Sequence, residues 1–598
     1  MPLRSPFAIV LCSAALYASA AEPALPEWAA YLRRPDADFD LARAALLIGR
    51  EEYPNTNLEA ATAKLDAWGE RLRKDLTQSG TVSGKLDTLR TFLFEAEGFQ
   101  LPERDDAAAF LLGEVLERKR GNCLGLSVLC LALADRAGLQ LHGVPVPNRL
   151  SGPGHLLVRF DDGTTRLNFD PTERGAAHSD AHYTALFKLR DDDLKRGYIL
   201  NNATPKQIVN LLLVNLAAAR IEDSRAAQAL PLLEQAMLLQ PEYAPAHQNL
   251  GMARLKLGDP LGALEAFERA LKLQPGLTGA RLGLAEVALN AKDSTRALEL
   301  IQAVLDEEPE HPQALALLAN LHLVTADYRQ AVTILKRLVE TAPKDVHART
   351  NLGAAYRHAG DFPDAESAYR AAIELDPKLA DAHFGLAETL RAVGQLDEAA
   401  RAYARALELD PDHAPTRLSQ AQHALTAGKW PEAEVAFRSA LKGKPNDLET
   451  LRGLVEVQLR QGKLKDADLT VTEALKVQPK HIALGLLAGE VKLKANQPAE
   501  ALRIYETLRP HAPAEWEIPI LQRIAIAQGK LGRHAEALKL ARQLLEANGD
   551  DIVALRIAAS ACEGLRNGPQ AIAIYRKLLE LNPEDTAAKQ ALARLGAK

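Results

Sequence analysis

Residues 244–277, APAHQNLGMARLKLGDPLGALEAFERALKLQPGL, form one unit of a repeat that decides the fold of most of this chain. Prolines recur with a 34-residue spacing at Pro241, Pro275, Pro309, Pro343, Pro377, Pro411, Pro445, Pro479 and Pro513. Alanines keep the same spacing at Ala229, Ala263, Ala297, Ala331, Ala365, Ala399, Ala433, Ala467 and Ala501. Both ladders continue after one unit that is two residues longer, at Ala537, Ala571 and Pro583. A fixed period of this length is typical of stacked helical repeats, so nearly two-thirds of the chain is predicted to be a repeat array.

Each unit is predicted to be a pair of antiparallel helices. In residues 244–277 the turn Gly258-Asp259-Pro260 separates the two helices, and Pro275 ends the second because proline cannot continue a helix interior. Small residues on both helices allow a close approach, while larger apolar residues fill the seam between them. These positions are Gly251, Ala263 and Ala270, with Leu250 and Phe267.

The repeat resembles the tetratricopeptide repeat over residues 210–586, which gives about eleven units. The first unit, 210–243, and the longer unit, 517–552, depart from the pattern, and Ala587–Leu595 is predicted to cap the array. The resemblance implies a superhelix whose concave groove binds a protein or peptide partner. Polar residues at equivalent first-helix positions are the candidates for the groove: Asn215, Asn249 and Asn351. The alternative is that some units only extend or brace the molecule.

Composition argues against one class of function and favours one class of fold. The chain has 598 residues, with 72 Lys and Arg against 78 Asp and Glu, for a net charge of -6. This balance lacks the basic footprint of a nucleic-acid-binding protein. Aromatic residues make up only 5% of the chain, which favours helix-on-helix packing over a β-sandwich.

The first residues have the pattern of an export signal. Arg4 precedes the apolar stretch Phe7–Tyr17, and Ala18-Ser19-Ala20 offers small residues for cleavage. We expect residues 1–21 to be removed and the mature chain to be periplasmic, with no membrane span left; an uncleaved anchor is the alternative. The remaining cysteines are Cys123, Cys130 and Cys562, an odd and sparse set that does not indicate a disulfide scaffold.

Residues 22–205 do not repeat, and they begin with helical patterns. Apolar residues follow helical spacing over 39–51, 58–76, 86–99 and 107–119. Gly121 and Asn122 then mark the start of an apolar helix that ends before Gly138, so Cys123 is predicted to lie in its first turn. The free amides and the positive dipole end at a helix start suit a nucleophilic thiolate.

Three short strands are predicted next, over 141–146, 155–160 and 165–170. If Asp162 and Gly163 form a two-residue turn, the paired residue numbers sum to 325 and His155 lies opposite Asp170. The other face of this hairpin is apolar. His155 could then take the proton of Cys123, with Asp170 orienting the imidazole. The amide of Cys123 would be an oxyanion donor, with the Asn122 side chain as a further candidate.

These residues together resemble the transglutaminase-like superfamily, whose fold is shared with papain-type cysteine peptidases. The similarity rests on Gly121-Asn122-Cys123, Gly154-His155 and Asn168-Phe169-Asp170-Pro171-Thr172, and it covers residues 40–230. It implies an α+β domain over 22–205, a junction at 201–205, a repeat superhelix over 206–598, and the triad Cys123, His155 and Asp170. Many members of the bacterial branch with such repeats have proline where Cys123 stands here.

Two functions remain open from the sequence. One is a cysteine acyltransferase, peptidase or amidase that acts on a peptide or envelope protein held by the repeats. The other is a non-catalytic scaffold in which Cys123, His155 and Asp170 are only structural. No cofactor motif is present. His178 and His182 stand four residues apart without a metalloprotease motif, and the cysteines lack zinc-ligand spacing, so no metal site is expected.

Overall fold

A computed structural model describes residues 25–102, 108–147, 154–195, 197 and 199–596 of the chain. The predicted export signal, residues 1–21, lies outside the described residues. The chain divides into two compact units, Met1–Pro343 and Lys344–Lys598. The first unit holds an amino-terminal α+β domain and the first repeats, and the second holds the remaining repeats. The predicted fold class is confirmed.

The amino-terminal domain is mainly helical in its described part. Its helices are α1 (Glu27–Tyr31), α2 (Leu41–Gly49), α3 (Leu58–Leu76), α4 (Val82–Thr91), α5 (Leu112–Arg118), α6 (Cys123–Ala137), α7 (Asp180–Leu186) and α8 (Asp191–Leu194). Short 3-10 turns span Asp36–Asp38 and Pro171–Glu173, and one π-helical turn spans Phe92–Ala96. The structure therefore has a helix at or near each position that the apolar spacing predicts, with α3 matching residue for residue.

Helix α6 is the centre of this domain. It is apolar on every side, and nearly all its residues after Cys123 are buried, as expected of a helix that is covered all round. It packs against α2, α3 and α5 and against two strands of the sheet. Gly138 ends it in the left-handed conformation, at φ 73°. Cys123, the first residue of α6, is partly exposed and therefore lies at the edge of the core.

The sheet has three antiparallel strands in the order β1 (Leu141–Val146), β2 (His155–Asp161), β3 (Arg166–Phe169). The observed register pairs Val158 with Phe169 and Asp161 with Arg166, so paired numbers sum to 327 rather than the predicted 325. The turn is therefore four residues long, 162–165. Because side chains alternate with a period of two, this shift by two residues leaves every side chain on its predicted face.

Both faces of the hairpin are covered. Leu156, Val158, Phe160 and Phe169 pack in the main core, as the alternation predicts. The opposite face was expected to be polar, but it lies under a second cluster that includes Val144, Leu157, Tyr183 and Leu200. The buried Arg159 crosses this face and donates hydrogen bonds to Asn168 Oδ1 at 2.7 Å and to the Leu200 carbonyl at 3.0 Å.

The repeats form eleven helix pairs in the described residues, followed by the predicted cap helix. In the compact unit Met1–Pro343 the repeat helices are α9 (Pro205–Glu222), α10 (Ala226–Leu239), α11 (Ala244–Lys256), α12 (Pro260–Leu273), α13 (Thr278–Asn290), α14 (Ser294–Leu305), α15 (Pro312–Val324) and α16 (Tyr328–Thr341).

In the second unit they are α17 (Val346–Ala359), α18 (Phe362–Leu375), α19 (Ala380–Ala392), α20 (Leu396–Leu409), α21 (Ala414–Thr426), α22 (Trp430–Gly443), α23 (Leu448–Arg460), α24 (Leu464–Val477), α25 (Ile482–Lys494), α26 (Pro498–Leu508), α27 (Glu517–Lys530), α28 (His534–Ala547), α29 (Ile552–Gly564), α30 (Gly568–Leu581) and α31 (Thr586–Arg594). Two 3-10 turns, Arg509–His511 and Ala514–Trp516, lie between α26 and α27, just before the longer unit.

Small residues permit the close packing of successive repeat helices. The Phe267 ring on α12 lies against Gly251 of its own pair and Gly283 of the next, and a Cβ on either glycine would come within 2.6 Å of that ring. Such a contact is well inside van der Waals separation, so larger residues at these positions would push the helices apart. This explains why the repeat alternates one large ring with small neighbours.

The first repeats share a core with the α+β domain. Helix α9 packs on α2, and Ile208, Leu212 and Leu232 join the same buried cluster as the residues of α6. Arg220 of α9 also donates to Glu52 Oε2 at 3.3 Å. The α+β domain and the first repeats are therefore packed together through α9. In the part of the chain that the structure describes, no helix is both long and apolar enough to cross a lipid bilayer.

Candidate active site

Cys123 is the first residue of α6, as predicted. Asn122 caps the helix, and its Oδ1 accepts a hydrogen bond from the Gly125 amide at 3.1 Å. The Asn122 amide donates to the Ala109 carbonyl at 2.9 Å, which fixes the helix start against the preceding segment. The first amides of a helix have no partner within it, so the Cys123 N–H is free of the helical ladder and available to an oxyanion.

The start of α6 is also held by close packing at Gly125. A Cβ there would lie 2.3 Å from the Ala109 carbonyl oxygen and 3.0 Å from the Phe110 Cα. Only glycine permits the helix to approach this backbone so closely. The position of the Cys123 thiol therefore depends on a glycine at position 125.

His155 begins β2 and meets Asp170 just beyond the end of β3. The distance between His155 Nε2 and Asp170 Oδ2 is 2.6 Å, a short hydrogen bond between an imidazole N–H donor and a carboxylate. Asp170 exposes only 2% of its side chain and His155 13%. The Cys123 thiol lies 3.9 Å from the carbonyl oxygen of Gly154, the residue before His155. The structure thus brings the three predicted residues together; their catalytic role remains a prediction.

Three further donors fix the Asp170 carboxylate. The Thr172 amide and hydroxyl donate to Oδ1 at 2.9 and 2.6 Å. The buried Tyr183 hydroxyl donates to Oδ2 at 3.0 Å. Because both oxygens are bonded, the carboxylate can present only one orientation to the imidazole.

Aromatic rings hold the His155 imidazole from the other side. The His155 ring lies nearly parallel to the rings of Phe187 and Tyr183, with centroid distances of 5.8 and 6.0 Å. Tyr183 lies on α7 and Phe187 directly follows it, so these two residues occupy one face of a single turn. This wall limits rotation of the imidazole and keeps Nε2 directed at Asp170.

The electrostatics of the pair favour a charged imidazole. Burial lowers the pKa of His155, but hydrogen bonds to Asp170 and Cys123 outweigh it and raise that pKa to about 9. Burial raises the pKa of Asp170, but hydrogen bonds from His155 and Thr172 lower it to about 2. Burial followed by the charge of Asp170 raises the pKa of Tyr183, which keeps its hydroxyl a neutral donor. At neutral pH the site therefore holds an imidazolium beside a carboxylate.

The basic run before Cys123 is largely neutralised. Arg118 pairs with Glu114 at 2.7 Å, and Lys119 lies 3.3 Å from Glu97 Oε2. These cations therefore contribute less to the potential at Cys123 than their place in the sequence indicates. Cys130 lies in the buried core of α6, where desolvation raises the pKa of its thiol.

The three predicted groove asparagines lie on first helices of their repeats. Asn215 of α9 is exposed, and its Nδ2 donates to the Leu211 carbonyl at 2.8 Å. Asn249 of α11 is half-buried, and its Nδ2 donates to the Val214 carbonyl at 3.2 Å. Asn351 of α17 is exposed and belongs to the second unit. Their role in binding remains a prediction.

Sequence reasoning missed Tyr183 and Phe187, which complete the site. The available signal was the four-residue spacing of two aromatic residues, in a chain poor in aromatics, directly after the Asp170 segment. Among the described residues, three side chains of the types that can ligate a metal also lie close together beside this site: Glu173, His178 and His182.

Comparison with known families agrees with this architecture. A model of the transglutaminase-like superfamily matches residues 59–213. A model described as the TPR domain of cytochrome c-type biogenesis protein H matches 228–348, and tetratricopeptide repeat models match 356–422, 418–479 and 523–586. The chain therefore consists of a transglutaminase-like domain followed by tetratricopeptide repeats, and this combination supports a protein-interaction scaffold.

Two relatives come from Xylella fastidiosa, the UPF0162 proteins of strains 9a5c and Temecula1. Each is 30% identical over 243 residues, which cover 38% of this chain and 82% of the relative. The match lies in the amino-terminal part of this chain. Among solved structures, the chain is similar to the APC/C hetero-tetramer Cut9–Hcn1, with 15% identity and a TM-score of 0.34, over 65% of this chain and 92% of that one.

Proposed function

Because the chain belongs to the family of the UPF0162 proteins, and because its transglutaminase-like domain has a cysteine beside a His–Asp pair, we propose that it is a thiol-dependent acyl-transfer enzyme. The observation that carries the proposal is the meeting of Cys123 with the His155–Asp170 hydrogen bond of 2.6 Å at the start of α6. A thiol, a base and a group that orients the base are the parts that nucleophilic catalysis requires.

In the proposed first step, His155 holds the proton that Cys123 has given up, and the sulfur, as the thiolate of this pair, attacks the carbonyl carbon of an amide. With Nε2 bonded to Asp170, Nδ1 is the ring nitrogen left to exchange this proton. The negative charge that forms on the carbonyl oxygen accepts a hydrogen bond from the Cys123 amide, with the Asn122 Nδ2 group as a second candidate donor. The carbon–nitrogen bond then breaks, His155 protonates the departing amine, and a thioester remains on Cys123.

The second step releases the acyl group. Water or an amine gives a proton to His155 and attacks the thioester, the carbon–sulfur bond breaks, and the Cys123 sulfur leaves as a thiolate beside the imidazolium, which restores the starting state. Water yields a carboxylate, as in an amidase or peptidase, whereas an amine yields a new amide, as in a transglutaminase. Asp170 stays ionised throughout and stabilises the imidazolium.

The repeats support a polypeptide substrate. Tetratricopeptide repeats generally bind protein partners, and the first pairs pack directly on the domain that carries Cys123. We assign them the recruitment of a peptide or envelope protein, with the chain exported to the periplasm. A fusion of residues 1–40 to a reporter enzyme that is active only outside the cytoplasm tests the export, and an inactive reporter would contradict it.

The enzymatic proposal is tested by trapping the acyl-enzyme. The full chain is incubated with envelope extract and quenched in acid, and Cys123 is analysed by mass spectrometry. We expect a mass adduct on Cys123 that hydroxylamine removes, because a thioester is cleaved by this amine. His155→Ala should abolish the adduct, while Cys562→Ala, which removes a buried thiol remote in sequence, should keep it.

The result that would contradict the proposal is the absence of any hydroxylamine-sensitive adduct on Cys123 in the wild-type chain. If proteins nevertheless co-purify equally with wild type and Cys123→Ala, the scaffold function without catalysis would be the correct account.

A further inference from the structure

A second group of reactive side chains lies next to the proposed active site. Glu173, His178 and His182 each place one potential ligand atom within 4.8 Å of the others. His178 Nε2 and Glu173 Oε2 are 2.6 Å apart, and the two imidazole rings lie nearly parallel at a centroid distance of 4.2 Å. The cluster is partly exposed and therefore open to an ion from solvent.

The backbone makes this meeting possible through a reversal after β3. Glu173 ends the 3-10 turn that begins at Pro171, and the next two residues have positive φ, 53° at Arg174 and 86° at Gly175. The chain then turns back, so that His178 comes beside Glu173 and α7 carries His182 over the same spot. The four-residue spacing of the histidines was visible in the sequence, but the carboxylate that completes the set was not.

Buried groups hold the two histidines in place. The His178 carbonyl accepts a hydrogen bond from Asn168 Nδ2 at 2.7 Å, and Asn168 is bonded in turn to the buried Arg159. The Tyr183 ring meets the His178 ring edge-on at 6.1 Å and the His182 ring edge-on at 5.2 Å. The cluster is therefore built on an ordered support, which distinguishes it from histidines scattered on a surface.

The donor set matches a divalent transition metal. Two imidazole nitrogens and one carboxylate oxygen suit Zn²⁺ and similar borderline ions, and they leave coordination positions for water. With zinc–ligand bonds of about 2.0–2.1 Å, two atoms that bind one ion lie farther apart than the 2.6 Å between His178 Nε2 and Glu173 Oε2, so this pair must separate to admit the ion. Rotation of three partly exposed side chains supplies this movement without a shift of the backbone.

We propose that Glu173, His178 and His182 form a binding site for a divalent transition-metal ion of the zinc class. The ion joins the turn after β3 to α7, the helix whose Tyr183 donates to Asp170. The bound ion thus fixes the position of Tyr183 and Phe187, whose rings lie against the His155 imidazole. The site is distinct from the Cys123 centre, and its existence does not depend on the proposed acyl-transfer activity.

Calorimetric titration with Zn²⁺ tests this site. The full chain carries Cys123→Ala, so that the thiol cannot bind the metal itself. We expect one equivalent to bind with micromolar or tighter affinity, and His182→Ala to weaken that affinity by about ten-fold or more. His247→Ala is the matched control, because it removes a partly exposed imidazole in the repeats that bonds only to the Pro241 carbonyl among the described residues, and it should leave the affinity unchanged.

A second variant and a second readout guard against loss of folding. Glu173→Gln keeps the shape of an exposed side chain and should also weaken binding, and Co²⁺ should give the visible absorption of a tetrahedral or five-coordinate site that each ligand variant loses. The proposal is overturned if no one-equivalent site is found, or if His182→Ala and Glu173→Gln bind as tightly as His247→Ala. In that outcome His178 and Glu173 form only an ion pair.

Discussion

His155 carries a charge at neutral pH because its hydrogen bonds to the buried Asp170 carboxylate and to Cys123 outweigh the effect of burial on its pKa. Asp170 is bonded on both oxygens, so it cannot turn away, and its negative charge overcomes the cost of burying an imidazolium. The proton that acyl transfer needs for the departing amine is therefore already present on His155. The same feature means that the site should lose its general acid as pH rises through about 9.

Replacement of Asp170 should shift the titration of His155. In the wild type we expect the imidazole to stay protonated up to a pKa of about 9. In Asp170→Asn the charge is lost while burial, which lowers the pKa, remains and only Cys123 still raises it, so the pKa of His155 should fall well below 9. NMR of the imidazole Cε1–H groups, with His155→Gln to assign the signal, measures both values. Equal pKa values in wild type and Asp170→Asn would contradict this account.

Helix α6 sets the position of Cys123 through the contact between Gly125 and the Ala109 backbone. Any side chain at position 125 must push the first turn of α6 away from that carbonyl, and the thiol with it. The substitution of Gly125 should therefore cost more than loss of the cap, because the Asn122 side chain contributes one hydrogen bond whereas Gly125 permits the close approach of two backbone segments.

Gly125→Ala should therefore destabilise the amino-terminal unit by about 1–3 kcal/mol and slow the alkylation of Cys123. Gly80→Ala is the matched control, because a Cβ there meets nothing within 4 Å and its φ is not positive. Calorimetric melting and thiol alkylation measure the two effects. An unchanged melting profile and alkylation rate in Gly125→Ala would show that the close approach is not required.

The hairpin shows what a sequence can and cannot predict at this scale. Its three strands and their faces follow from alternation, but the register does not. An Asp-Gly turn of two residues needs positive φ at both positions, and here only Gly163 has it, at 85°. Instead Asp162 Oδ1 accepts hydrogen bonds from the amides of Thr164 and Thr165 at 3.0 and 2.7 Å, which stabilises a longer turn. Such local side-chain bonds compete with the standard turn and leave no periodic signal.

At the scale of the whole molecule, the repeats are predictable because the same proline and alanine positions recur from one repeat to the next. The α+β domain offered only single motifs, so Cys123, His155 and Asp170 could be found while their supports could not. Tyr183, Phe187 and the buried Arg159 are placed by contacts between separate elements, such as the hydrogen bond from Arg159 to the Leu200 carbonyl. The predicted domain boundary at residue 205 also comes from the sequence pattern alone. In the structure, α6 before this boundary and α9 after it contribute residues to one hydrophobic core.

This shared core predicts how fragments will behave. A fragment ending at residue 205 should be poorly folded, because it exposes the apolar surface that α9–α12 cover. A fragment ending at Pro343 keeps the whole first unit and should melt cooperatively. Circular dichroism and binding of an apolar dye compare the two. If the shorter fragment melts as sharply and at the same temperature as the longer one, the α+β domain is independent of the repeats.

The central claim is that His155 activates Cys123 as a nucleophile, and the alkylation rate of Cys123 tests it most directly. The second-order rate constant with iodoacetamide is measured by mass spectrometry at about pH 6.5, where an ordinary thiol is largely protonated. We predict that Cys123 in the full-length wild type reacts about ten-fold or more faster than in His155→Ala, while Cys562→Ala matches the wild type. Equal rates in wild type and His155→Ala would contradict the claim.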